Sequence, residues 1–399
     1  MSDSTGQLLL TGIPGKDLDA ETAAILRRVQ PGGFILFGRN IESASQLRKL
    51  IDDLREVSEV KPIITIDQEG GRVSRLRLIG NEPPNAQELR EKGDVALIAQ
   101  HGAITGRLLR LFGFNLDLCP VLDISFNDDA DNSLRGRCYG KNVEEVVRNA
   151  AAFNTAMRAE GIASCGKHFP GYSAATLDAH HELPRIERTL EQLKAEELAV
   201  FRALIGRGGS PNRPPARVTI SHTATSGGRA IEVDRPYRNN AVDSMMICHA
   251  WYPSLEPKKK AASLSRRVVT ELLREEMGFS GLVMTDDLDM GAILNEYGLE
   301  ETIRLAMAAG NDLAMICHRL PAVEEAHKVL QTLPAAQIDR ALASVAEFKR
   351  QMQPAHEFSE DVFRAIDREI WELRVSVLGA ERAAQRSPED GKRSPVEVY

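Results

Sequence analysis

The chain has 399 residues, of which 43% are hydrophobic and 27% charged, with a formal net charge of −7. That balance suits a soluble globular protein with a large core; the negative charge, with no basic stripe interleaved with aromatics, argues against nucleic acid as a partner. The start, MSDSTGQLLLTGIPG, lacks the basic and apolar stretches of a secretion signal, and no apolar run approaches the ~20 residues that span a bilayer.

In chain order, eight short apolar runs read as strands: QLLLTGI (7–13), GGFILFG (32–38), PIITID (62–67), FNLDLCPVLDI (114–124), IASCGKH (162–168), SMMICHA (244–250), GLVMTD (281–286) and DLAMICH (312–318). Amphipathic stretches lie between them. In SRRVVTELLREEMG, Ser265 is placed to N-cap a helix and Gly278 to end it, while Val268, Val269, Leu272, Leu273 and Met277 recur at helical spacing. Alternating strand and helix implies a parallel sheet. Eight repeats over about 310 residues predict a (β/α)8 TIM-type barrel, a single α/β catalytic domain over residues 1–352. An open doubly wound sheet would call for a Gly-rich phosphate loop after the first strand, and LLLTGIPGKDLD is only a faint echo of one.

Residues 207–243 interrupt the rhythm with two alternating segments around SGG, the pattern of a β-hairpin. A helix-to-strand connection lies at the bottom of a barrel, so this insertion is expected to serve a homo-oligomer contact; a plain surface loop is the alternative. Beyond residue 320 come AAQIDRALASVAEFKRQM and SEDVFRAIDREIWELRVSVLGAERAA, with residues 353–384 forming a C-terminal helical extension. The tail 385–399, rich in Ser, Pro and charge, is expected to be disordered. Five cysteines form no CxxC pair; those at 119, 165, 248 and 317 lie in or beside apolar runs, where a free thiol behaves as a small hydrophobe. A reducing cytoplasm is the expected setting.

In a barrel, the C-terminal ends of the strands build the active site. Here they carry Asp67, Asp123, Lys167, His168, His249, Asp286 and His318. Asp286 either faces the pocket, steadied by the N-terminus of the next helix, or merely caps that helix, and the adjacent Asp287 allows one residue for each task. Asp178 and His180, two apart on the loop after strand five, point the same way if extended. A carboxylate beside an imidazole makes a general acid/base; a loop histidine in a local hydrogen bond is the alternative. In IDQEGGRVSRL, Asp67 with Arg72 and Arg75 suits bidentate contacts to vicinal hydroxyls, or else a structural ion pair. No ligand set of zinc-like spacing is present, and TGIPG lacks the His-x-His of metal-dependent barrel hydrolases, so neither metal nor organic cofactor is expected.

Taken together, GGFILFGRN, IDQEGGRVSRL, LDLCPVLDI, LRGRCYG, KHFPG followed by LDAHHELP, LREEMGFSGLVMTDDLDM and AGNDLAMIC resemble glycoside hydrolase family 3, in its β-N-acetylhexosaminidase branch. The resemblance runs over roughly residues 30–320. It implies a retaining mechanism with Asp286 as nucleophile, His180 as acid/base and Asp178 as its dyad partner. It implies Asp67, Arg75, Arg137, Lys167 and His168 as ligands of the non-reducing sugar, and a glycan substrate, with muropeptides of bacterial cell-wall recycling as its source. A histidine acid also leaves room for an anionic acceptor, so phosphorolysis is an alternative, as are a β-glucosidase and a sugar-binding relative without turnover. The chain departs from the family's KHFPGHG at Tyr172 and Ser173, while Lys167 and His180 keep their spacing of thirteen.

Overall fold

A computed structural model describes residues 4–129, 133–173, 183–205 and 241–387. Eight parallel strands close into a barrel in chain order: Leu9–Gly12, Gly33–Leu36, Ile63–Ile66, Leu116–Asp117, Ala163–Phe169, Ser244–Ile247, Leu282–Asp287 and Leu313–Ile316, the last pairing back on the first. Six of them fall within the apolar runs read from the sequence, and strands five and seven each run one residue beyond, to Phe169 and Asp287. Their near-continuous hydrophobicity has a simple cause, since a parallel strand is covered on both faces, by the barrel interior and by the helical ring. Strand four is shorter than its run because Pro120 has no N–H to give the ladder; pairing resumes only at Val121, opposite Lys167.

The ring helices begin where short polar side chains take up free amides. Asp19, Ser43, Asp94 and Asn142 accept from the first turns of Ala20–Val29, Ala44–Glu56, Val95–Phe112 and Val143–Ala159. Ser265 departs from this pattern and does not cap: its hydroxyl donates to Glu256 at 2.9 Å. The helix that follows, Arg267–Glu276, is wound wide, with Met277 N–H bonding to the Leu272 carbonyl, although Val268, Val269, Leu272 and Leu273 are buried as their spacing predicts.

Helix Ala335–Gln351 lies against the barrel, with Lys349 donating to Gln7 beside the first strand. Helix Glu360–Leu378 packs on Val95–Phe112, its Phe363 ring 5.4 Å from Phe112, and Asp367 accepts from the Asn81 backbone and side-chain amides. Gln385 and Ser387, at the start of the tail, bond to Arg374 and Glu82. The 207–243 insertion lies outside the described residues up to 240; its last residue, Asp243, is clamped by Arg158 and by the Ser164 amide at the lower end of strand five. Among the described residues, no helix is long and apolar enough to cross a membrane. All five cysteines are buried and free.

Candidate active site

Because every barrel strand runs the same way, residues at their C-terminal ends gather at one mouth. On one side of it the third strand continues into Gln68–Gly70, which turns back through Val73–Ser74. Gly70 and Gly71 take this turn at φ of 114° and 54°, a region that side chains disfavour. Side chains alternate along such an extended stretch. Gln68 turns toward Ser74, donating to its hydroxyl, while Asp67 and Glu69 both meet Lys167 from strand five.

Lys167 Nζ lies 2.7 Å from Asp67 and 2.6 Å from Glu69, and Arg137 grips Glu69 with two bonds of 2.7 Å. Arg75 stands 3.8 Å from Asp67. All five side chains are buried. Burial alone would discharge them, yet Arg137 and Lys167 hold the Glu69 carboxyl well below the usual carboxylate range, and Asp67 and Glu69 hold the Lys167 ammonium well above the usual lysine range. Asp117 lies under this layer, with one carboxyl oxygen accepting from the Gln68 amide and the other without a partner among the described residues. Burial pushes its pKa up to about 8. The result is a preorganised charged floor over a carboxylic acid that keeps its proton at neutral pH.

Beside the floor, His168 donates from Nδ1 to Asp123 at 2.7 Å. The other oxygen of Asp123 accepts the Tyr172 amide at 2.6 Å, and the Ser173 hydroxyl accepts the Ile124 amide at 2.8 Å.

Strand seven brings the two adjacent aspartates, and they divide their tasks. Asp287 is buried and accepts the amides of Asp289 and Cys317, with His318 Nε2 at 3.3 Å. Arg39 can only donate, so its contact with His318 Nδ1 leaves the ring proton on Nε2, toward Asp287. His249 donates from Nε2 to the Asp287 carbonyl and accepts at Nδ1 from Ser263, and burial keeps it neutral by lowering its pKa. Asp286 is half-buried and accepts the Asp287 amide at 2.8 Å. The expected helix N-terminus does not support it: the next helix begins only at Gly291, because Asp287 and Asp289 hold the intervening turn to strand eight.

The structure thus joins Asp67, Arg75, Arg137 and Lys167 in one cluster, brings His168 in beside it from the next residue along the same strand, and carries Asp286 at the same mouth. Asp178 and His180 lie outside the described residues; their loop leaves from Ser173 and returns at Leu183. Glu69 escaped the sequence reading as a site residue, and Asp123 was counted among the strand ends of the mouth but given no role. Glu69 had a signal, since it is two positions beyond Asp67 and shares its face; Asp123 had only its place at the end of an apolar run. Among the described residues no group of three or more His, Cys, Asp or Glu could hold a metal ion.

A charged floor and a rim carboxylate at the C-terminal mouth define a (β/α)8 enzyme acting on a polar small molecule. Residues 1–222 and 235–348 match the glycosyl hydrolase family 3 N terminal domain. The chain belongs to glycosyl hydrolase family 3 and is a glycoside hydrolase. It is 33% identical to a beta-hexosaminidase of Vibrio cholerae over 346 residues, 85% of this chain and 92% of that protein. With a beta-hexosaminidase of Pseudomonas aeruginosa it shares 31% identity over 82% of this chain and 86% of that one. Among solved structures, a family 3 β-N-acetylglucosaminidase from Paenibacillus sp. superposes with a TM-score of 0.77 at 29% identity, over 94% of this chain and 68% of that one. NagZ of Neisseria gonorrhoeae superposes at 0.73 with 25% identity, over 92% and 97% of the two chains.

Proposed function

We propose that this glycoside hydrolase is a retaining exo-β-N-acetylglucosaminidase, releasing terminal β-linked N-acetylglucosamine through a covalent glycosyl-enzyme. The sugar preference rests on its likeness to the beta-hexosaminidases and β-N-acetylglucosaminidases. Asp286 attacks the anomeric carbon. His180, oriented by Asp178, protonates the departing oxygen and then draws the proton from the incoming water. Retention requires a nucleophile on one side of the anomeric carbon and an acid/base on the other, and an imidazole fills the second role without adding another anion.

The observation that carries this reading is the division between the two aspartates. Asp287 is committed to backbone amides and His318, while the half-buried Asp286 stands at the mouth. Asp67, Arg75, Lys167 and His168 take the hydroxyls of the non-reducing sugar, and Arg137 orders Lys167 through the Glu69 they share. Muropeptides of cell-wall recycling are the proposed natural glycans, a setting that follows from the family resemblance.

The test is release of nitrophenol from 4-nitrophenyl N-acetyl-β-glucosaminide between pH 5 and 8, beside the matching glucoside and with and without phosphate. Release from the N-acetylglucosaminide, with the β-anomer formed first by proton NMR, is expected. Asp286→Asn is expected to lower kcat by at least about 10³-fold, the scale at which a covalent nucleophile acts. No release at any pH, or an α-anomer as first product, sinks the assignment; faster turnover with phosphate transfers it to a phosphorylase.

A further inference from the structure

We infer that Asp123 is a positioning residue that couples the grip on the sugar to delivery of the acid/base loop. The inference rests on the reading above, in which His168 meets the sugar and His180 supplies the proton. Asp123 is buried, and its two oxygens are divided between those tasks. Oδ2 takes the His168 Nδ1–H at 2.7 Å and the His168 amide at 3.2 Å. A carboxylate only accepts, so the ring carries its proton on Nδ1 and keeps Nε2 as its remaining polar atom for a ligand. Oδ1 takes the Tyr172 amide at 2.6 Å, the point where the chain sets out toward Asp178 and His180.

The neighbouring residues strengthen the same root. Ser173 Oγ accepts the Ile124 amide at 2.8 Å, the residue after Asp123, a bond that glycine at 173 could not make. Tyr172 is buried, with its ring 6.2 Å from that of His168. Gly171 turns at φ 122°, its carbonyl accepts from Tyr252, and an added Cβ would fall 2.5 Å from that of Glu197. Of the two positions where the chain departs from the family's KHFPGHG, 172 ties the loop's root to the segment after strand four through its backbone amide and 173 through its serine hydroxyl. One carboxylate sets the histidine that holds the ring and the base of the loop that protonates the leaving oxygen.

Two readouts separate the two arms. Inhibition by free N-acetylglucosamine reports the sugar grip. The ratio of kcat/KM for the phenyl over the 2,4-dinitrophenyl N-acetyl-β-glucosaminide reports proton delivery, because only the poorer leaving group needs it. Asp123→Asn keeps the volume and is expected to raise the inhibition constant about tenfold and to lower the ratio about tenfold. His168→Ala is expected to move the first readout alone, and Ser173→Ala the second alone. An Asp123→Asn enzyme that moves only one readout, or neither, overturns the coupling. Should that variant fail to fold, Asp123→Glu, which keeps the charge but displaces both oxygens, takes its place: movement of both readouts upholds the coupling, and movement of one or neither overturns it. His180→Ala is the control on the underlying reading; if it leaves the ratio unchanged, the loop does not carry the acid and the coupling falls with that reading, whereas a collapsed ratio leaves Asp123 to be judged by its own variants.

Discussion

The charges in the floor are mutually dependent. Lys167 is buried between two carboxylates, and Glu69 is shared by Lys167 and Arg137. Removing one member of a buried pair leaves the other charge desolvated, at a cost of about 3–5 kcal/mol. Glu69→Gln is therefore expected to lose stability on that scale in urea denaturation and to weaken sugar binding. The native Glu69 carboxyl titrates below its ordinary value of 4.5, so its contribution is complete above that pH and is lost as the pH falls below it. Asp117 has the opposite sign. Its native pKa is raised from 3.8 to about 8, so the folded protein holds a proton that the unfolded chain has released, and stability falls as the pH climbs from about 4 to about 8. Asp117→Asn is expected to flatten that slope: near parity with the parent at pH 4.5 and a higher urea midpoint at pH 8. An unchanged slope would mean that Asp117 is ionised in the fold.

At the scale of elements, the barrel separates chemistry from stability along its axis. Asp243 and Arg158 join the end of the 207–243 insertion to the bottom of strand five, away from Lys167 and His168 at the top of that strand. Asp243→Ala is expected to destabilise by about 1–3 kcal/mol through the orphaned Ser164 amide and Arg158, with kcat and KM unchanged. A shift in KM would show that the lower face communicates with the mouth. The eight strands were legible because two-sided burial writes each of them as an apolar run. Strand four was overestimated where Pro120 interrupts pairing, and Ser265 was misassigned because Glu256, nine residues away, claims its hydroxyl. Local signals miscarry wherever a distant partner outbids the local one.

The molecule is larger than its barrel, and the additional helix covers apolar surface. Phe363, Ile366, Ile370 and Leu373 of Glu360–Leu378 are buried, and Phe112 on the ring helix packs against both Phe358 and Phe363. Arg374 and Ser387 converge on the buried Glu82, which follows Arg75 of the floor along the chain. A chain ending at Met352 is expected to melt at lower temperature and to bind hydrophobic dyes, since those rings would face water. Undiminished thermal stability would make the extension an independent appendage.

By itself the sequence determined the barrel, its eight strands, the run of polar strand ends and, through its motifs, the family, because these depend on local periodicity and on residues adjacent along the chain. Only the tertiary structure decided that Asp287 takes the Asp289 and Cys317 amides while the half-buried Asp286 takes that of Asp287, that Glu69 joins Arg137 to Lys167, and that Asp123 serves His168 and Tyr172 together. Those choices are made by partners drawn from different strands, whose carboxylates and cations are desolvated at the same point and must therefore neutralise one another there.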